Sequence, residues 1–156
     1  MTNALLKNTN QYLANIGVSY IKLHNLHWNV IGTQFKAVHE YLESLYDAYA
    51  DVLDEVAEII RMDGELPLAG MRAYLSVATI QELESQEICI KDTLKTVLTD
   101  METLKAEAEI LRKMAEEEDH YLLVNSLEDQ LANYAKNIWF LHSMLKRLHK
   151  DETCPV

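Results

Sequence analysis

His24, His27, His39, Glu43, Asp47, Asp51, Asp54 and Glu58 crowd into one stretch of the chain. Imidazoles and carboxylates bind divalent cations when the chain turns several of them toward one point. From His39 onward these residues recur at three- and four-residue steps, which places them along one side of a helix. At about 100° per residue, His39, Glu43, Asp47, Asp54 and Glu58 fall within an arc of roughly 100°. Val38, Leu42, Leu45, Tyr49, Val52, Val56 and Ile59 form a second stripe, centred roughly 170° away. One face therefore packs into its own subunit, and the other carries hard oxygen ligands and an imidazole. A solvated acidic face is the plain alternative. Two features count against it: His39 lies on the acidic row, and His27-Trp28 sits just across a short turn.

Spacing then sets a geometric limit. His39 and Glu58 lie roughly 28 Å apart on a helix rising about 1.5 Å per residue, so they cannot bind one metal within one chain. An antiparallel copy of the same helix removes the obstacle. If a twofold axis passes between Ala48 and Tyr49, His39 faces Glu58 of the partner subunit and Glu43 faces Asp54 of the partner subunit. Both pairs are symmetric about that midpoint, so an isologous dimer builds two equivalent two-chain sites. Two imidazoles with three or more carboxylates suit iron, manganese or zinc, and a mixed, open, oxygen-rich set favours redox iron.

The rest of the chain must hold this stretch in place. The chain has 156 residues, 49% of them apolar, which fits one domain, 1–156, with a substantial core. Four Gly, two Pro and no β-branched alternation predict an all-α fold of four long helices. The first spans about Asn3 to Val30, with Leu13, Ile16, Tyr20, Leu23 and His27 along one face. The short turn Ile31-Gly32-Thr33-Gln34 folds the second helix, about Phe35 to Met62, back antiparallel. A long connection from Gly64 to about Ala78 suits a crossover, and its apolar residues predict a short extra helix. Thr79-Ile80-Gln81-Glu82 reads as a capping box opening the third helix, with core positions Leu94, Val97, Met101, Leu104, Ala108 and Leu111. Asp119 reads as the N-cap of the fourth, whose stripe is Leu127, Leu131, Tyr134, Ile138, Leu141, Leu145 and Leu148. Lys146, Arg147, His149 and Lys150 follow in its last turns, where the helix dipole favours cations. Glu117 and His120 form one Glu-x-x-His pair at a helix start, read as cap and surface; His142 and His149 are read as structural or surface groups. Cys89 and Cys154 suggest no disulfide framework, and no basic-then-apolar leader is apparent, so a reducing cytoplasm is expected.

His24-Asn25-Leu26-His27-Trp28-Asn29-Val30-Ile31-Gly32, followed by Phe35, His39, Glu43, Asp54 and Glu58, resembles the Dps family, the mini-ferritins named for DNA-binding proteins from starved cells. Ile138-Trp139 and the helix order resemble the family as well. The resemblance implies a ferritin-like four-helix bundle assembled into a hollow shell of twelve subunits built from dimers. It implies a ferroxidase that binds iron through His27, His39 and Glu43 of one chain with Asp54 and Glu58 of the other. It further implies oxidation of Fe²⁺, preferably by hydrogen peroxide, and storage of the ferric product, which protects the cell from oxidative damage. Around the site, alternatives stay open. Trp28 is an electron donor or a packing aromatic. Asp47 and Asp51 are relay groups or solvated acids. His24 is metal-related or a hydrogen-bonded structural residue. The family's acidic entry pores suggest Glu117, Glu118, Asp119, Glu128 and Asp129 without choosing among them.

A nucleoid-compacting DNA binder, with iron oxidation secondary, is the rival reading. Such binding in the family resides in lysine-rich tails. The formal charge here is −11, Met1 to Lys7 holds one lysine, and Lys150 is offset by Asp151 and Glu152. The cationic footprint for phosphate is missing, so no direct DNA binding is expected. In a gel-shift titration with a chelator present, plasmid DNA should not move at neutral pH and moderate salt. A tight shift that fades as salt rises would show that the surface charge has been misjudged.

Overall fold

The computed structural model describes residues 1–146. In chain order it contains α1 (Asn3–Asn29), β1 (Val30–Ile31), α2 (Phe35–Met62), α3 (Met71–Val77), β2 (Ile88–Cys89), α4 (Ile90–Glu117) and α5 (Tyr121–Leu145). Four long helices make the bundle. α1 packs along α2, α4 along α5, and α3 rests on α1. α1 opens on Thr2, whose hydroxyl accepts from the Leu5 amide at 3.2 Å and satisfies a helix-end donor. The expected stripes are the buried ones: Leu13, Ile16 and Leu23 in α1, Val38, Leu42, Leu45, Tyr49, Val56 and Ile59 in α2, and all six named positions of α4. α3 confirms the extra helix. Its Tyr74 lies so close to α1 that a Cβ on Gly17 would come within 2.6 Å of the ring.

The turn from α1 to α2 is built on Gly32, at φ 144°, a conformation that favours glycine. A Cβ there would also meet Ile90 at 2.7 Å. The turn therefore fixes how α2 returns along α1 and docks both on the start of α4.

Two boundaries differ from expectation. The third long helix begins at Ile90, not Thr79. Residues 79–87 form an irregular strap, because side chains of α1 satisfy its backbone in place of helical bonds. Asn15 Oδ1 accepts from the amides of Thr79 and Ile80 at 2.8 and 3.0 Å. Asn25 Nδ2 donates to the Leu83 carbonyl at 2.8 Å. The Thr79 hydroxyl binds Glu107 instead of capping a helix. The strap ends in a two-residue parallel pairing of β2 with β1, Val30 against Ile88 and Ile31 against Cys89.

The second difference is at Asp119, which is no N-cap. It takes φ 53°, while His120 occupies the cap position without a side-chain cap bond. The His120 amide bonds the Ala115 carbonyl at 2.9 Å and the Asp119 amide bonds that of Glu116 at 3.1 Å. This pair of bonds closes α4 as a Schellman turn, with Asp in the left-handed position that glycine usually fills. The His120 ring is not a surface group either: it packs inside, with Nε2 3.3 Å from Asp63 Oδ1.

Leu148, Arg147, His149, Lys150 and the tail from Asp151 lie outside the described residues. So does Cys154, and with it the expected absence of a disulfide; Cys89 itself is not a free thiol.

Two sets of polar groups inside the bundle are paired across helices. The Tyr12 hydroxyl lies 2.7 Å from that of Tyr134 and donates to Gln130. Lys22 of α1 meets Asp100 of α4 at 2.7 Å, with both side chains largely covered. Burial pushes the Asp100 carboxyl above its ordinary range, and the Lys22 ammonium opposes that rise. A carboxyl raised in the fold supports folding fully below its unfolded value, and that support is lost as pH rises through the folded value. Lys22→Met removes the opposing charge and widens the loss. Chemical denaturation should show a cost of about 3 kcal/mol at neutral pH, the range for breaking a buried pair. The cost should shrink in acid, where Asp100 holds a proton. A cost independent of pH would show that the pair is solvated.

Candidate metal centre

The site begins where α1 ends and α2 starts. His27 lies in the last turn of α1 and His39 in the second turn of α2. The Gly32 turn brings them face to face, with ring centroids 3.6 Å apart and planes 20° from parallel. Their hydrogen bonds are reciprocal. His27 Nδ1 donates to the His39 carbonyl at 2.8 Å, and His39 Nδ1 donates to the His27 carbonyl at 2.8 Å. A carbonyl only accepts, so each ring carries its proton on Nδ1. In the neutral rings, both Nε2 atoms keep their lone pairs for a metal, an arrangement in which the second nitrogen fixes tautomer and orientation. The His27 carbonyl belongs to a helix end, where carbonyls lack helical partners, so the His39 ring also closes α1. His27 is only 7% exposed and His39 is half-buried.

Of the five expected ligands, one chain brings His27 and His39 together. Glu43, one turn beyond His39 on the same face, is exposed, as are Asp54 and Glu58 farther along α2. Among the described residues, no three His, Cys, Asp or Glu side chains of the single chain converge enough to hold a metal ion. Asp47 and Asp51 are exposed on the same helix. Bulky apolar groups border the histidine pair. Trp28 is 68% exposed and Phe35 42%, with the Phe35 ring 5.0 Å from that of His39.

Behind the pair lies a layer of rings. His24 donates from Nδ1 to the Tyr20 carbonyl at 2.9 Å, stacks on Tyr46 at 3.8 Å and meets Trp28 at 5.4 Å. Tyr46 stands at right angles to His27, 5.2 Å away. Desolvation, then the carboxylates of Glu43 and Asp47, raise the Tyr46 phenol above its ordinary range, so it stays protonated. Tyr46 is absent from the sequence candidates. It falls between the acidic row and the apolar stripe, and only the three-dimensional contact with His27 marks it. The Glu117 and His120 pair lies at the α4–α5 turn and belongs to the packing there, with Glu117 exposed.

The profile of the ferritin-like domain matches residues 6–150. The chain is similar to the DNA protection during starvation protein of Helicobacter pylori, with 36% identity over 128 residues, 82% of this chain and 89% of that protein. Its fold is similar to the crystal structure of antigen TpF1 from Treponema pallidum, at a TM-score of 0.90 and 35% identity, covering 92% of each chain. It is also similar to a Dps protein of Vibrio cholerae, described as a member of a broad superfamily of ferritin-like diiron-carboxylate proteins. There the TM-score is 0.87 and the identity 25%, over 91% of this chain and 89% of that one. The four-helix bundle with its extra short helix, the profile match and these likenesses agree: the chain belongs to the Dps family of ferritin-like proteins.

Proposed function

We propose that this protein oxidises Fe²⁺ with hydrogen peroxide at sites shared by two subunits and stores the ferric product inside a twelve-subunit shell in the cytoplasm. The observation that carries the reading is the reciprocal His27–His39 pair. It presents two Nε2 lone pairs beside a helix face whose acids are left exposed. Twofold pairing of α2 about the point between Ala48 and Tyr49 adds Glu43 of the same chain with Asp54 and Glu58 of the partner subunit. The exposed Trp28 and Phe35 support such a partner, because large aromatics beside a functional site are what a subunit interface covers.

The donor set suits the chemistry. Neutral imidazoles bind Fe²⁺, and carboxylates favour the higher charge of Fe³⁺, so the set draws oxidation forward. Two Fe²⁺ ions give one electron each, and hydrogen peroxide with two protons becomes two waters. Removing both reactants prevents hydroxyl-radical formation, a protection that requires no contact with DNA. Among the described residues, no helix is long and apolar enough to cross a membrane.

The test is Fe²⁺ oxidation by peroxide under anaerobic mixing, followed by the mass and iron content of the particle. The wild type should consume about one peroxide per two Fe²⁺ and retain ferric iron in a particle of twelve chains. His39→Ala and Glu58→Ala should each weaken Fe²⁺ binding by at least about tenfold, as expected for loss of a ligand, with the particle intact. A stable monomer, or single variants that oxidise at the wild-type rate, would overturn the reading.

A further inference from the structure

The reciprocal bonds hold each histidine at one nitrogen, and that leaves a freedom. A ring anchored through a single Nδ1–H can still tilt about that bond. A metal bond requires the Nε2 lone pair, which lies in the ring plane, to point at the ion. Productive sites hold such groups within roughly 10–20°. The rings packed against His27 limit that tilt.

On one face His27 is covered by the His39 ring. Tyr46 also packs against His27, its plane 89° from that of His27 at 5.2 Å, an edge-to-face contact. Tyr46 is itself held. His24 lies flat on it at 3.8 Å and 23°. His24 in turn is tied by its Nδ1–H to the Tyr20 carbonyl and meets the Tyr20 ring at 4.6 Å. Tyr20 also reaches Tyr46 directly, ring to ring at 6.4 Å and 87°. The rings thus form a buttress running from α1 to α2 and back to the ligand pair.

We infer that Tyr46 is a positioning residue for iron binding: its ring sets the plane of the His27 imidazole, and His24 clamps Tyr46 in place. This deepens the ferroxidase reading and rests on it. His24 then acts through Tyr46 and needs no metal contact. The working part of Tyr46 is the aromatic ring, not the hydroxyl, because the contact with His27 is ring to ring.

Co²⁺ is the probe, since its visible absorption reports coordination geometry without turnover. Wild-type protein should bind Co²⁺ with a spectrum that His39→Ala changes, with affinity down at least about tenfold. Failure of that control would sink the ferroxidase reading itself, and this inference with it. With the control met, Tyr46→Phe should keep affinity and spectrum within about twofold. Tyr46→Leu should lose about tenfold in affinity, the scale of lost ligand support, and change the band pattern while the particle mass stays the same. Tyr46→Leu with wild-type affinity and spectrum would overturn the inference, as would Tyr46→Phe falling as far as Tyr46→Leu. Should Tyr46→Leu fail to assemble, His24→Leu serves instead. It should alter the Co²⁺ spectrum with both ligands present, and an unchanged spectrum would overturn the inference equally.

Discussion

Two imidazole-to-carbonyl hydrogen bonds join the end of α1 to the start of α2, and the site depends on them. Each bond does structural and chemical work at once. It ties two antiparallel helices at their shared corner, and it places the ring proton on Nδ1 so that Nε2 keeps its lone pair as a base. The corner exists because Gly32 takes a positive φ and because Ile90 leaves no room for a side chain there. α4 therefore supports the histidine pair: its first residue packs the turn that aligns the two rings.

A second constraint is the length of α2. A helix of 28 residues cannot bring its own ends together. Whatever His39 shares with Glu58 must be shared between chains. The same helix buries Val38, Leu42, Leu45, Tyr49, Val56 and Ile59 within the subunit, so its acidic side is free to face outward. On this account the fold supplies one half of each site twice over, and symmetry supplies the closure.

Much of this was legible in the sequence, and the parts that were not share a physical cause. Helical stripes are local: a three-four spacing of apolar residues says which face is buried, and the faces of α1, α2, α4 and α5 follow it. The acidic row and His39 were legible for the same reason. Residues 79–87 were misread because their structure is decided by Asn15 and Asn25, more than fifty positions away in the chain. A capping-box pattern carries no information about side chains that reach in from elsewhere. Asp119 was misread because an acid before a helix fits an N-cap, while a left-handed turn after the previous helix is equally open to Asp. Tyr46 and the contact of His24 with it were invisible, since ring stacking between two helices leaves no spacing signal.

If each site draws its ligands from two chains, two variants broken in different ligands should repair one another when mixed. His39→Ala and Glu58→Ala chains are dissociated together, reassembled, and shown by native mass spectrometry to form dimers of one chain each. In such a dimer both lesions fall in one cross-chain site, and the other site has all its ligands. Such dimers should recover up to about half of the wild-type iron sites, as twofold symmetry requires. Confirmed mixed dimers without recovery would place the whole site within one chain, because every chain would then carry a broken site.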